Sequence, residues 1–124
     1  MTRWIAGWLL EATDRDRLLA LVPPRYPHVV AHHVTLQAGV PASAAPPGPR
    51  QGSVVGIADD GAGVQALVVE VDGSTRRPDG STWHVTWSLG KGRRAVESND
   101  VIRTLGWTPT ARHPLGLRPA TFRS

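Results

Sequence analysis

The chain has no cysteine and only one methionine, one tyrosine and one phenylalanine among its 124 residues. Without cysteine there is no disulfide, no thiolate metal ligand and no cysteine nucleophile. Lysine is almost missing too: Lys91 is the only one, so arginine carries nearly all the positive charge. The net charge of +4 suits an anionic ligand but is too small for a broad duplex-binding surface. No stretch approaches the roughly twenty apolar residues of a membrane span. Residues 1–10 lack the apolar core and small-residue cleavage site of a signal peptide. A cytoplasmic protein with no membrane partner is therefore expected.

What is present belongs to a globular protein: 40% hydrophobic and 19% charged residues. The length fits one domain, 1–124, large enough for a real core. Residues 4–10 read as a strand. Thr13 reads as the N-cap of a helix with Asp14 and Asp16 in its first turn; Leu18, Leu19, Leu21 and Val22 give it an apolar side, and Pro23-Pro24 stops it. Residues 29–36 read as the next strand. Residues 39–52, rich in Pro, Ala and Gly, read as a flexible loop, long for a compact domain. Strands are expected at 53–58 and 64–71, joined by a turn at 59–63, then a second turn at 72–81 and a strand at 82–89. Ser98 reads as the cap of a short helix, 99–105, ended by Gly106. The irregular tail, 107–124, holds one more strand around 115–117 or 120–122. The five tryptophans, Trp4, Trp8, Trp83, Trp87 and Trp107, read as core.

One tripeptide occurs twice, as His33-Val34-Thr35 and His84-Val85-Thr86. Side chains alternate faces along a strand, so the His and Thr of each copy point one way and the Val points into the core. Two strands that each present an imidazole and a hydroxyl suit phosphate chemistry, with imidazoles to move protons and hydroxyls to hold non-bridging oxygens. His32, one residue from His33, falls on the opposite face with Val30, Val34 and Leu36, the place of a partly buried core or edge histidine. The element order suggests an α+β fold of two similar lobes: two small antiparallel sheets with flanking helices, facing each other across a central groove.

Paired His-x-Thr motifs on separate strands resemble the signature of the two-histidine (2H) phosphoesterases. The N-terminal strand, the Leu-rich helix, the Tyr26-Pro27 connector and the Ala95-Val96-Glu97-Ser98-Asn99 segment resemble its RNA-repair branch. That branch includes the phosphodiesterase part of fungal-type tRNA ligases and the bacterial Swiss Army Knife domains. The resemblance covers roughly residues 4–105. The departure is spacing: the motifs start 51 positions apart, at 33 and 84, which is short for the family. The resemblance implies hydrolysis of a nucleotide 2′,3′-cyclic phosphate, or of an RNA end carrying one, by acid–base catalysis without a metal or other cofactor. It implies one histidine as base and the other as acid, the choice depending on which ribose oxygen leaves, with a lean to His33 as base and His84 as acid, and Thr35 and Thr86 as ligands of the phosphoryl oxygens. A monomer acting beside an RNA ligase or kinase is the implied setting. The same four residues would serve a 2′–5′ ligase-like or ADP-ribose cyclic phosphate enzyme, and a non-catalytic nucleotide- or RNA-binding module is the third reading.

Four further residues are candidates for substrate binding. Lys91 and Arg93 follow the second motif on a basic loop, Tyr26 offers a ring for a base to stack on, and Ser98 sits at a helix N-terminus that could meet a phosphate. Ser88 continues the face of His84 and Thr86, as a polar lining. No metal ligand set is expected, since two histidines without nearby cysteine, and with acidic residues mainly in turns, do not form a usual one.

Overall fold

A computed structural model of the chain describes residues 4–123. In chain order these form β1 Trp4–Leu10, α1 Ala12–Leu21, β2 His28–Val29, β3 His33–Val40, β4 Gln51–Asp59, β5 Val64–Val71, β6 His84–Leu89, α2 Glu97–Leu105 and β7 Thr108–Arg123. The fold is α+β, but the two expected sheets are one. All seven strands belong to a single antiparallel sheet in the order β2-β6-β5-β4-β7-β1-β3.

The reason is β7. It is 16 residues long where the sequence suggests a short strand in an irregular tail. Residues 108–116 pair with β4, and 117–123 pair with β1, so this one strand splices two halves together. Pro109, Pro114 and Pro119 argue against a strand, because proline donates no ladder hydrogen bond. Each stretch of β7 has a partner on one side only, the edge condition under which proline is tolerated. Gly116 marks the handover. There the start of α1 docks: the Glu11 N–H donates to the Gly116 carbonyl at 3.0 Å, and the Gly116 N–H donates to Asp14 Oδ2 at 2.7 Å. A Cβ at position 116 would lie 2.9 Å from that of Glu11, so only glycine allows the approach.

Both helix caps differ from expectation. Glu11, not Thr13, caps α1, its carboxylate accepting from the Thr13 and Asp14 N–H groups. α2 starts at Glu97 with no side-chain cap, so Ser98 lies inside the helix and its hydroxyl is free for other work.

The core lies on both faces of the sheet. Trp8, Leu18, Val34, Leu67, Val69, Val85 and Trp87 fill one side, and Val64, Val68, Leu89, Val101 and Ile102 fill the other beneath α2. β5 is buried along almost its whole length, each full burial contributing about 1.5–3 kcal/mol. Trp8, Trp83 and Trp87 are core as expected, whereas Trp4 is half-buried and Trp107 is exposed, lying over Gly56. The 39–52 loop is shorter than expected because β3 runs to Val40 and β4 starts at Gln51. It is pinned at Gly48, whose carbonyl accepts from Trp8 Nε1 at 3.0 Å, and at Ala44, whose carbonyl accepts from Thr121 Oγ1 at 2.9 Å. No helix among the described residues is long and apolar enough to cross a membrane.

Candidate active site

The strand expected at 29–36 is broken. β2 pairs with β6, and the pairing continues as the Val30 and Ala31 N–H groups donate to the Trp87 and Thr86 carbonyls. The chain then turns at Ala31, whose φ of 42° lies in the left-handed region that few non-glycine residues adopt. Beyond the turn, β3 pairs with β1 instead. Three bonds hold the turn. Arg15 Nε from α1 donates to the Ala31 carbonyl at 2.7 Å, the Ala31 N–H is held by Thr86, and the Leu10 N–H donates to the His32 carbonyl at 3.1 Å. β3 and β6 thus part like a fork just where each carries its motif. Gly7 on β1 pairs with Thr35 and allows the close approach, since a Cβ there would collide with the Val34 carbonyl.

In the fork lies a cavity of about 170 Å³ lined by His33, Thr35, His84 and Thr86, with Arg77 and Asn99 as further walls. Val34 and Val85, the middle residues of the two motifs, are buried in the core. The motifs differ in how they are held. His33 packs edge-on against Phe122, with ring centres 4.8 Å apart, and its Nδ1 lies 3.0 Å from His32 Nδ1. Its Nε2 is then the free nitrogen. Burial pushes the His33 imidazole down to about 4, and the adjacent His32 and His84 rings add to the shift. His84 instead donates from Nδ1 to the Thr82 carbonyl at 2.8 Å, which leaves Nε2 as its free nitrogen. Burial lowers the His84 pKa as well. The Thr82 carbonyl opposes that shift, Arg77 adds to it and Asp79 opposes it.

The two threonines differ in the same way. Thr35 Oγ1 makes no hydrogen bond among the described residues. Thr86 is buried, and its hydroxyl donates to the Ala95 carbonyl at 3.2 Å and pairs with Ser98 Oγ at 2.9 Å. Ser98 therefore touches the site through Thr86 rather than as a helix cap.

Three of the four expected binding residues lie elsewhere. Tyr26 donates to Asp59 Oδ1 at 2.7 Å, tying the connector to the end of β4. Arg93 is committed to Asp60 at 2.8 Å and Glu97 at 3.1 Å, holding the 59–63 turn against α2. Lys91 is exposed on the loop after β6 and is not part of the cavity wall. β6 explains all three, since its Leu89 end lies at the far side of the strand from His84. Ser88 is not a lining residue either. A register shift between Gln65 and Ala66 of β5 breaks the alternation opposite it, and its buried hydroxyl donates to Gln65 Oε1 at 2.6 Å. His32 is exposed rather than part of the core, because the break at Ala31 ends strand parity before it.

Arg77 and Asn99 are the site residues that linear reasoning misses. Arg77 sits in a turn beside an equally basic Arg76, and nothing in the pattern separates them. Asn99 ends the 95–99 segment quoted for its resemblance, which is the one signal pointing to it. Among the described residues no three His, Asp or Glu side chains cluster as a metal ion would need. Compared with models of protein families, with curated proteins and with solved structures, the chain matches none.

Proposed function

We propose that the chain is a two-histidine phosphodiesterase that opens 2′,3′-cyclic phosphates on nucleotides or RNA ends. The observation that carries this reading is the meeting of both His-x-Thr motifs in one cavity. His33, held neutral by its surroundings, takes a proton from water through Nε2 as the water oxygen attacks phosphorus. His84 in its protonated form, with Nδ1–H on the Thr82 carbonyl, gives its Nε2 proton to the departing ribose oxygen as the P–O bond breaks. The product is a phosphomonoester and a free ribose hydroxyl. Thr35 donates to a phosphoryl oxygen. Thr86 does so only on giving up its bond to Ala95. Hydrogen bonds that form fully only on the crowded five-coordinate phosphorus favour the transition state over the ground state.

The engagement of Thr86 with Ala95 and Ser98 favours a second reading, a cavity that binds a phosphate without turning it over. One experiment separates the two. The protein is incubated in EDTA with each nucleoside 2′,3′-cyclic monophosphate and with a cyclic-phosphate-ended oligonucleotide, beside His33→Ala and His84→Ala. Hydrolysis that survives chelation and vanishes in both variants supports the enzyme. Folded protein that turns over none of them defeats it.

A further inference from the structure

Arg77 and Asn99 wall the His33/His84 cavity and also a second pocket of about 340 Å³, which reaches Thr82, Ile102 and Arg103. Arg77 is a buried cation whose counter-charge among the described residues, Asp79, stands beyond direct hydrogen-bond distance. Its Nε donates to the Leu36 carbonyl at 3.1 Å, and its Nη1 lies 3.4 Å from Ser81 Oγ and 3.6 Å from Asp79 Oδ2. Asp79 is itself held by the Ser81 N–H at 2.9 Å and the Ser81 hydroxyl at 2.6 Å. Nη2 makes no bond among the described residues. The open Nη2 leaves donors of a buried guanidinium for an anion, and their planar arrangement matches phosphoryl oxygens. Asn99 Oδ1 is buried and has no hydrogen-bond partner among the described residues, the only side-chain atom there of which that is true. An acceptor in that condition costs free energy until a donor reaches it.

We propose that Arg77 and Asn99 form one recognition element joining the two pockets: Arg77 binds the phosphate, and Asn99 Oδ1 accepts from a hydroxyl or amine of the nucleoside part lying in the second pocket. The ligand class is thus a phosphate with a hydrogen-bond donor attached close by. The inference rests on the proposed reading for its substrate but not for its test, which is binding.

Orthophosphate and 2′-AMP are titrated into wild-type protein, Arg77→Gln, Arg77→Lys and Asn99→Leu, with chemical shifts followed and thermal melting as the folding control. Arg77→Gln should weaken both ligands by tenfold or more, with Arg77→Lys partly restoring them. Asn99→Leu should weaken 2′-AMP about tenfold and leave orthophosphate unchanged, because only the nucleotide carries the donor. In the ligand-free protein, Arg77→Gln should also raise the titration midpoint of the His84 ring, since a neighbouring cation is removed. Equal loss of both ligands in Asn99→Leu, or wild-type affinity in folded Arg77→Gln, overturns the proposal. Binding as expected without turnover of cyclic phosphates would leave the recognition element standing and defeat the enzyme. Turnover that ignores both substitutions would do the reverse.

Discussion

His33-Val34-Thr35 and His84-Val85-Thr86 are identical as sequence and unlike as structure. The first begins right after a forced turn, on a strand paired only with β1, with its hydroxyl unengaged and its imidazole against another histidine. The second lies on a strand flanked by β5 and β2, with its imidazole on a backbone carbonyl and its hydroxyl shared with α2. A carbonyl acceptor tolerates a protonated ring, and a neighbouring imidazole that would also carry charge does not. In the proposed reading, equal residues in unequal surroundings give one site a base and an acid.

Removing each imidazole in turn has the largest expected effect. His33→Ala and His84→Ala should each lower kcat/KM on a cyclic nucleotide by about 10²–10⁴. The asymmetry shows on a p-nitrophenyl phosphodiester, whose leaving group needs no proton. Activity on that ester should largely survive His84→Ala and still be lost in His33→Ala. Equal loss in both would mean that the two histidines do not divide acid and base as assigned.

The pH profile tests the same division without a mutation. His33 must be neutral, which holds above about 4. His84 must be protonated, and its pKa is depressed from 6.5 by burial and Arg77, against the Thr82 carbonyl and Asp79. kcat/KM, which reports the free enzyme, should therefore peak on the acid side, below the ordinary histidine value of 6.5. Stability carries a matching signature. Both folded-state pKa values lie below the unfolded value, so the unfolded chain binds more protons as pH falls. Urea midpoints should hold above pH 6.5 and decline towards pH 4, less steeply in His33→Gln.

The threonines give a smaller, cleaner contrast. Thr86→Val leaves the fully buried Ser98 hydroxyl without its partner, while the Ala95 carbonyl keeps the Ser98 N–H, and should cost about 1–3 kcal/mol in urea unfolding. Thr35→Val breaks no internal bond and should stay within about 0.5 kcal/mol of the parent, while turnover falls. If the two variants are equally stable, Thr86 is not bound into the fold as described.

Apolar run and strand parity together find β1 and β5 at their observed bounds, because each is a run of largely buried residues. The same rule places both motifs on strands with their valines inward. It fails where a long-range contact decides. No local pattern shows that Arg15 will hold a left-handed turn at Ala31, so neither the break before His33 nor the exposure of His32 can be read. Nor does proline-rich sequence announce a strand such as β7, whose prolines are harmless only because its partner changes at Gly116. Tyr26, Lys91 and Arg93 look close to the motifs by sequence distance, yet six residues of strand carry them away from the cavity.

His32 offers the smallest test, and it bears on the turn itself. Its ring lies 5.6 Å from Phe122 and 5.2 Å from His33, exposed, at the rim of the fork. Charge on it disfavours charge on His33, as does the His84 ring, while burial remains the larger cause of the low His33 pKa. His32→Ala should therefore leave turnover at neutral pH unchanged and move the acid limb of the profile to higher pH. Burial keeps that limb below the usual histidine value. An acid limb that returns fully to about 6.5 would mean that the pair, not the buried pocket, sets the base. The exposed histidine would then be part of the catalytic machinery, and the asymmetry between the two motifs would originate at Ala31, where the strand breaks.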